Sequence, residues 1–138
     1  MSDPEDQVRA ALDAFDDAFR RGDAAAAAAR FTADGQVHLQ FQPTVSGLDE
    51  IESVWRASFE TWDTSAWATE RLVVDVHGDR AFTLTSYTET LVHRAGLEPS
   101  RLVVGRYLAY LRRDPDGAWR IAHMANSHAR PIEVLETR

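Results

Sequence analysis

Residues 110–128, "YLRRDPDGAWRIAHMANSH", decide the fold. "DPDG" (114–117) is built from turn residues, proline and aspartate followed by glycine. On either side lie long runs with strand character, "RLVVGRYLAYLRR" (101–113) and "AWRIAHMANSHA" (118–129). Strands joined so tightly must be antiparallel, because parallel neighbours need a crossover of about a dozen residues or more. The same arrangement continues backwards. "RAGLEPS" (94–100) precedes the first of these runs, and "AFTLTSYTETLVH" (81–93) is linked through "HGDR" (77–80) to "WATERLVVDV" (67–76). Everything after residue 66 is therefore strand and turn, an antiparallel meander.

The first half has a different period. Asp3 and Pro4 start a helix, the carboxylate as cap and the proline where its missing N–H is harmless. Val8, Ala11, Leu12, Phe15 and Phe19 then form one apolar stripe. Gly22 closes that helix, and Asp23 caps a short one through "AAAAAAR" (24–30). Asp34-Gly35 reads as a turn before a strand in which Val37, Leu39 and Phe41 alternate with His38, Gln40 and Gln42, ended by Pro43. Ser46 is expected to cap a third helix, with Asp49 in capping-box position and Leu48, Ile51, Trp55, Phe59 and Trp62 as its buried stripe. The sum is an α+β domain over residues 1–138: helices first, then one strongly curved, mostly antiparallel sheet wrapped over them.

Composition narrows the function classes. A chain of 138 residues with 44% hydrophobic residues can bury a core without disulfides or metal. It has no cysteine, which removes a disulfide framework, a thiolate zinc site and a cysteine nucleophile. Its net charge of −7 argues against nucleic-acid binding, and no stretch approaches a membrane span or a signal peptide. A cytoplasmic protein is expected. There is no phosphate loop, nucleophile elbow or cofactor motif, so any chemistry is expected to need no cofactor.

The order helix, "RGDAAAAAARFTADG" (21–35), strand, "SGLDEI" (46–51) helix and a meander ending in "DGAWRIAH" (116–123) resembles the nuclear-transport-factor-two-like superfamily. This is the cystatin-like cone shared by ketosteroid isomerases and SnoaL-like polyketide cyclases. The resemblance covers nearly the whole chain and implies a homodimer through the outer sheet face. It also implies what is missing. Where the isomerases carry a tyrosine, an aspartate base and a neutral aspartate, this chain has Phe15, Leu39 (or His38, one residue away) and Ala109. Isomerisation by that mechanism is excluded, since none of the three side chains can move a proton or donate a hydrogen bond as required. Nor is the aspartate-arginine-aspartate set of the limonene epoxide hydrolases evident.

The last strand leaves two readings of its faces. Trp119 and Ile121, by hydrophobicity, would carry His123 inward; the resemblance instead places Met124, Asn126 and His128 in the cavity and turns Trp119 and Ile121 toward a partner subunit or a second layer. A bulge would reverse the assignment. Following the resemblance, the cavity takes Phe15 and Phe19 from the helix and Val37, Leu39 and Phe41 from the first strand. Tyr107, Ala109 and Leu111 come from the strand before "DPDG", and Met124, Asn126 and His128 from the last. His128 is then the expected acid/base, Tyr107 the donor to a developing oxyanion, and Asn126 the group orienting a carbonyl. His123 and His128 lie on opposite faces and His38, His77 and His93 are scattered, so no metal site is expected. Tyr87 and Glu89 share a strand face; Glu89 becomes a second base if that face looks inward, although the alternating threonines beside it read as a solvated surface. The expected ligand is a small, largely apolar molecule. An isomerase, cyclase or dehydratase acting next to a carbonyl and a non-catalytic binding or dimerisation module both remain open.

Overall fold

The computed structural model describes residues 3–135. Helix α1 (Pro4–Arg20) begins as expected, with the Asp3 carboxylate accepting the N–H of Glu5 at 2.9 Å, and Val8, Leu12 and Phe15 are buried along it. Gly22 has φ +66°, the left-handed conformation that ends the helix. Asp23 then caps α2 (Ala24–Ala28) by accepting the N–H of Ala26 at 3.0 Å.

Strand β1 (Phe31–His38) starts earlier than Asp34-Gly35 suggested. That pair is not a hairpin turn but an irregularity inside the strand, whose pairing partners step from Ile121 at Phe31 to His123 at Gln36. Two residues of β2 (Val45–Ser46) pair with its end. Helix α3 (Leu48–Thr61) has Gly47, not Ser46, at its cap; Glu50 instead accepts the N–H of Ser46 at 3.0 Å. Its buried stripe is Ile51, Trp55 and Phe59. Leu48 is 37% exposed, and Trp62 has left the helix to open the next strand, where Arg101 lies 4.5 Å over its ring.

Four long strands follow: β3 (Trp62–His77), β4 (Arg80–His93), β5 (Arg101–Arg113) and β6 (Trp119–His128). A short β7 (Glu133–Val134) pairs with the start of β5. The sheet order is β2-β1-β6-β5-β4-β3, antiparallel throughout except for the parallel pair β1–β6. The α+β architecture read from the sequence is the observed one. Helices α1 and α3 cover one face, and the core between them and the sheet is an aromatic cluster with Phe15 near its centre, 5.4 Å from Trp55, 6.1 Å from Phe31 and 6.1 Å from Tyr107.

Three bulges set which side chains enter this core. Residues 65 in β3, 72 in β3 and 122 in β6 each lack a strand partner and reverse the alternation. The one at Ala122 reconciles the two readings of the last strand. Tyr110 pairs with His123 and Leu111 with Ile121, so Trp119 and Ile121 face inward before the bulge, and Met124 and Asn126 face inward after it. The expectation that Trp119 meets a partner subunit is corrected: Trp119 is buried, and its indole N–H donates to Gln7 of α1 at 3.1 Å.

Candidate functional site

Between the helices and the sheet lies a cavity of about 60 Å³. Aromatic rings dominate its wall: Phe15 and Phe19 from α1, Trp55 from α3, Trp67 from β3, Tyr87 from β4 and Tyr107 from β5. Leu39 and Met124 add aliphatic surface, and its polar groups include Glu89 on β4 and Asn126 on β6. An apolar hollow with a few convergent polar groups has the lining of a small-molecule site, on the scale of a few heavy atoms rather than of a drug-sized ligand.

Of the residues assigned to the cavity from the sequence, Phe15, Phe19, Leu39, Tyr107, Met124 and Asn126 line it. Val37, Ala109 and Leu111 are fully buried but belong to the solid core. Phe41 is placed differently. Strand β1 ends at His38, the chain turns with the N–H of Gln42 donating to the carbonyl of Leu39, and the alternation stops. Leu39 stays inside, while Phe41 is 89% exposed with φ +64°, a strained conformation for a bulky residue. His128 has the inward parity of Asn126 but stands at the sheet's rim, beside Phe41, Pro131 and Ile132 in a separate surface depression. It does not join the cavity wall.

Tyr107 contributes its ring but not its hydroxyl. That oxygen accepts from Arg71 Nη1 at 2.7 Å and donates to Asp16 Oδ1 at 3.1 Å, so its proton is already engaged. Burial, reinforced by the Asp16 charge, pushes the phenol well above its usual range. The same Asp16 carboxylate accepts from Trp67 Nε1 at 3.2 Å, Thr69 Oγ1 at 3.2 Å and Arg71 Nη2 at 2.5 Å. Arg71 also reaches Asp13 at 2.9 Å and Thr85 at 3.2 Å. The Asp16 and Arg71 side chains are 3% and 8% exposed. This buried network braces α1 against the sheet behind the cavity wall. Asp16 escaped the sequence reading because a charged residue on a helix is ordinarily solvated.

The face of β4 that reads as solvated is the inner one. Thr83 and Thr85 are fully buried, which is tolerable because Thr83 donates to the carbonyl of Ala109 at 2.9 Å and Thr85 accepts from Arg71. Continuing the alternation, Tyr87 and Glu89 project into the cavity. Tyr87 stacks on Trp67 at 4.8 Å and accepts from Asn126 Nδ2 at 3.4 Å. Among the described residues Glu89 has one side-chain partner, Thr64 Oγ1 at 3.4 Å, and burial raises its carboxyl to about 7.

Tyr87 lies where it does because Gly105 is opposite it on β5. A Cβ at residue 105 would stand 2.7 Å from the Tyr87 ring and hydroxyl and 2.7 Å from the carbonyl of Ser127. Gly105→Ala is therefore expected to destabilise the protein by about 1–3 kcal/mol, read as a lower urea midpoint. A loss below about 0.5 kcal/mol would mean that Tyr87 shifts freely.

The histidines do not gather at this site. His38 and His123 meet outside it, Nε2 to Nδ1 at 3.3 Å with ring planes within 13° of parallel, and Thr44 bonds the other nitrogen of His38 at 3.0 Å. Among the described residues no three His, Asp or Glu side chains converge as metal ligands, and no helix is long and apolar enough to cross a membrane.

Comparison with known proteins gives a consistent family of shapes. A model of the SnoaL-like domain matches residues 2–125. A ketosteroid isomerase-like protein from Erwinia carotovora atroseptica superimposes with a TM-score of 0.86 at 28% identity, covering 95% of this chain and 100% of that one. A nuclear transport factor 2-like superfamily protein from Salmonella enterica serovar Typhimurium gives 0.78 at 15% identity over 92% of each chain. A hexachlorocyclohexane dehydrochlorinase gives 0.73 at 14% identity, covering 94% of this chain and 89% of that one. No curated protein matches the sequence.

Proposed function

Since the chain belongs to the SnoaL-like domain family, with the cavity on the inner face of its sheet, we propose that it binds a small, largely apolar molecule there and moves a proton on it. The observation that carries this reading is Glu89. It is a carboxyl in an aromatic wall, poised near pH 7 by burial, with a single long hydrogen bond to hold it. A general acid or base works best when its pKa lies near the working pH, because both protonation states are then accessible. Glu89 takes the proton-transfer role that the sequence assigned to His128. The hydroxyl of Tyr87 and the amide of Asn126 take the polar contacts assigned to Tyr107. Proton abstraction beside a carbonyl fits this set, as isomerisation, cyclisation or elimination.

The test is proton exchange at carbon in deuterated buffer, followed by NMR on a panel of small enolisable ketones. Exchange above the buffer rate is expected for at least one member, falling by about 10²–10⁴-fold in Glu89→Gln. No exchange with any ketone, or exchange undiminished in the variant, would leave non-catalytic binding as the function.

We also propose a homodimer through the outer sheet face, supported by the exposed apolar side chains of Leu72, Val73 and Phe82 there. Sedimentation equilibrium should return twice the chain mass of 15.5 kDa; a monomer at micromolar concentration would count against it.

A further inference from the structure

The polar end of the cavity has a direction, and its origin is a backbone group outside the cavity. A backbone N–H can only donate, so the Asn126 atom 2.9 Å from the N–H of Gln40 must be its carbonyl Oδ1. The amide nitrogen is thereby turned the other way, where it donates to the Tyr87 oxygen. Two donors do not bond each other, so the Tyr87 proton points away from Asn126, and the ring that carries it lines the cavity. Gln40 is anchored in turn, because its Oε1 accepts the backbone N–H of His128. Residue 40 and the end of β6 are thus clasped by two hydrogen bonds of opposite sense, one in each direction.

We infer that the Gln40–Asn126–Tyr87 chain makes the cavity select ligands whose head group accepts a hydrogen bond, a ketone, aldehyde or ester carbonyl, with Gln40 as the positioning residue that sets the polarity of the amide. The inference rests on the cavity being a small-molecule site but not on any proton transfer there. Glu89 stands on the inner face of β4 two residues beyond Tyr87, so one head group can meet the Tyr87 donor while the neighbouring carbon faces the carboxyl.

The test compares two probes of one shape, each small enough for the cavity, acetone and isobutene, in which a carbonyl oxygen is replaced by a methylene. Binding is measured by NMR titration of the full chain. The wild type should bind acetone about tenfold more tightly, the worth of one net hydrogen bond. In Tyr87→Phe the ratio should fall to near one while isobutene affinity is kept. Asn126→Asp should do the same, since a carboxylate still accepts from Gln40 but offers no donor and captures the Tyr87 proton. Gln40→Ala keeps the backbone N–H but frees the loop; it should lower the ratio part way and speed amide exchange at His128. A variant that merely loosens the fold would weaken both probes together and leave the ratio unchanged. Equal binding of the two probes by the wild type, or a ratio unmoved in Tyr87→Phe, would overturn the inference alone. Failure of both probes to bind would overturn it together with the small-molecule reading.

Discussion

Asp16→Ala should lower the unfolding free energy by about 3–5 kcal/mol, a large share of the roughly 5–15 kcal/mol that holds a domain of this size together. The reason is not the value of the ion pair in itself. Exchanging a buried pair for packed apolar groups is often neutral, but removing one partner strands the other. Without Asp16 the Arg71 cation retains Asp13, whose own side chain is 74% exposed, and the Trp67 N–H and Tyr107 O–H lose their acceptor. Among the described residues the Arg71 Nε is already buried without a partner, so no spare hydrogen bond is ready to compensate. Urea denaturation checks the size of the loss. The double variant Asp16→Ala/Arg71→Met should recover part of it, because the stranded charge has gone. A loss under about 1 kcal/mol in the single variant would mean that water reaches the network and screens it.

The second large effect is a gain. Glu89 titrates near 7 in the folded chain, above its ordinary 4.5, and burial is the cause. The folded state therefore holds a proton that the unfolded state has released between these two values. Stability from this group is full below about pH 4.5 and is lost as pH rises through 7, where the buried carboxylate must ionise. Glu89→Gln removes that penalty. The variant should match the wild type near pH 4.5 and exceed it at pH 8 by as much as about 3 kcal/mol, while losing carbon–proton exchange. Equal stability curves across this range would show that Glu89 is solvated, and with that the acid/base assignment would fall.

These two carboxylates also mark where sequence reading succeeds and stops. The helix starts at Asp3 and Asp23, the left-handed Gly22, the "DPDG" turn and the antiparallel meander were all legible, because each is a local rule obeyed by residues close in the chain. The cavity was half legible. Phe15, Phe19, Leu39, Met124 and Asn126 follow from alternation and helical spacing once the faces are known. Glu89 and Tyr87 were visible as a pair on one face but not as inward, since Thr83 and Thr85 beside them look like surface residues until Arg71 and the Ala109 carbonyl are seen to satisfy them. Asp16 was hidden for the same reason, its partners lying more than fifty positions away. His128 and Phe41 went astray otherwise: β1 ends at His38, before Phe41, and His128, the last residue of β6, stands at the sheet's rim and not in the cavity wall.

The extra residue at Ala122 has a consequence for how the chain can vary. Before it, strand β6 builds the core with Trp119 and Ile121; after it, the strand builds the cavity with Met124 and Asn126. Substitutions in this stretch alter one side chain each. Losing the codon for Ala122 would take the bulge away with its unpaired residue and leave Met124 and Asn126 facing inward, whereas gaining one codon would turn the strand's second half over, presenting His123 and Ala125 to the interior and sending Asn126 outside. Chain length between Ile121 and His123 is thus an inheritance that tolerates change in one direction only, and a library varied in length there would separate the genes that keep this cavity from those that have only kept its shell.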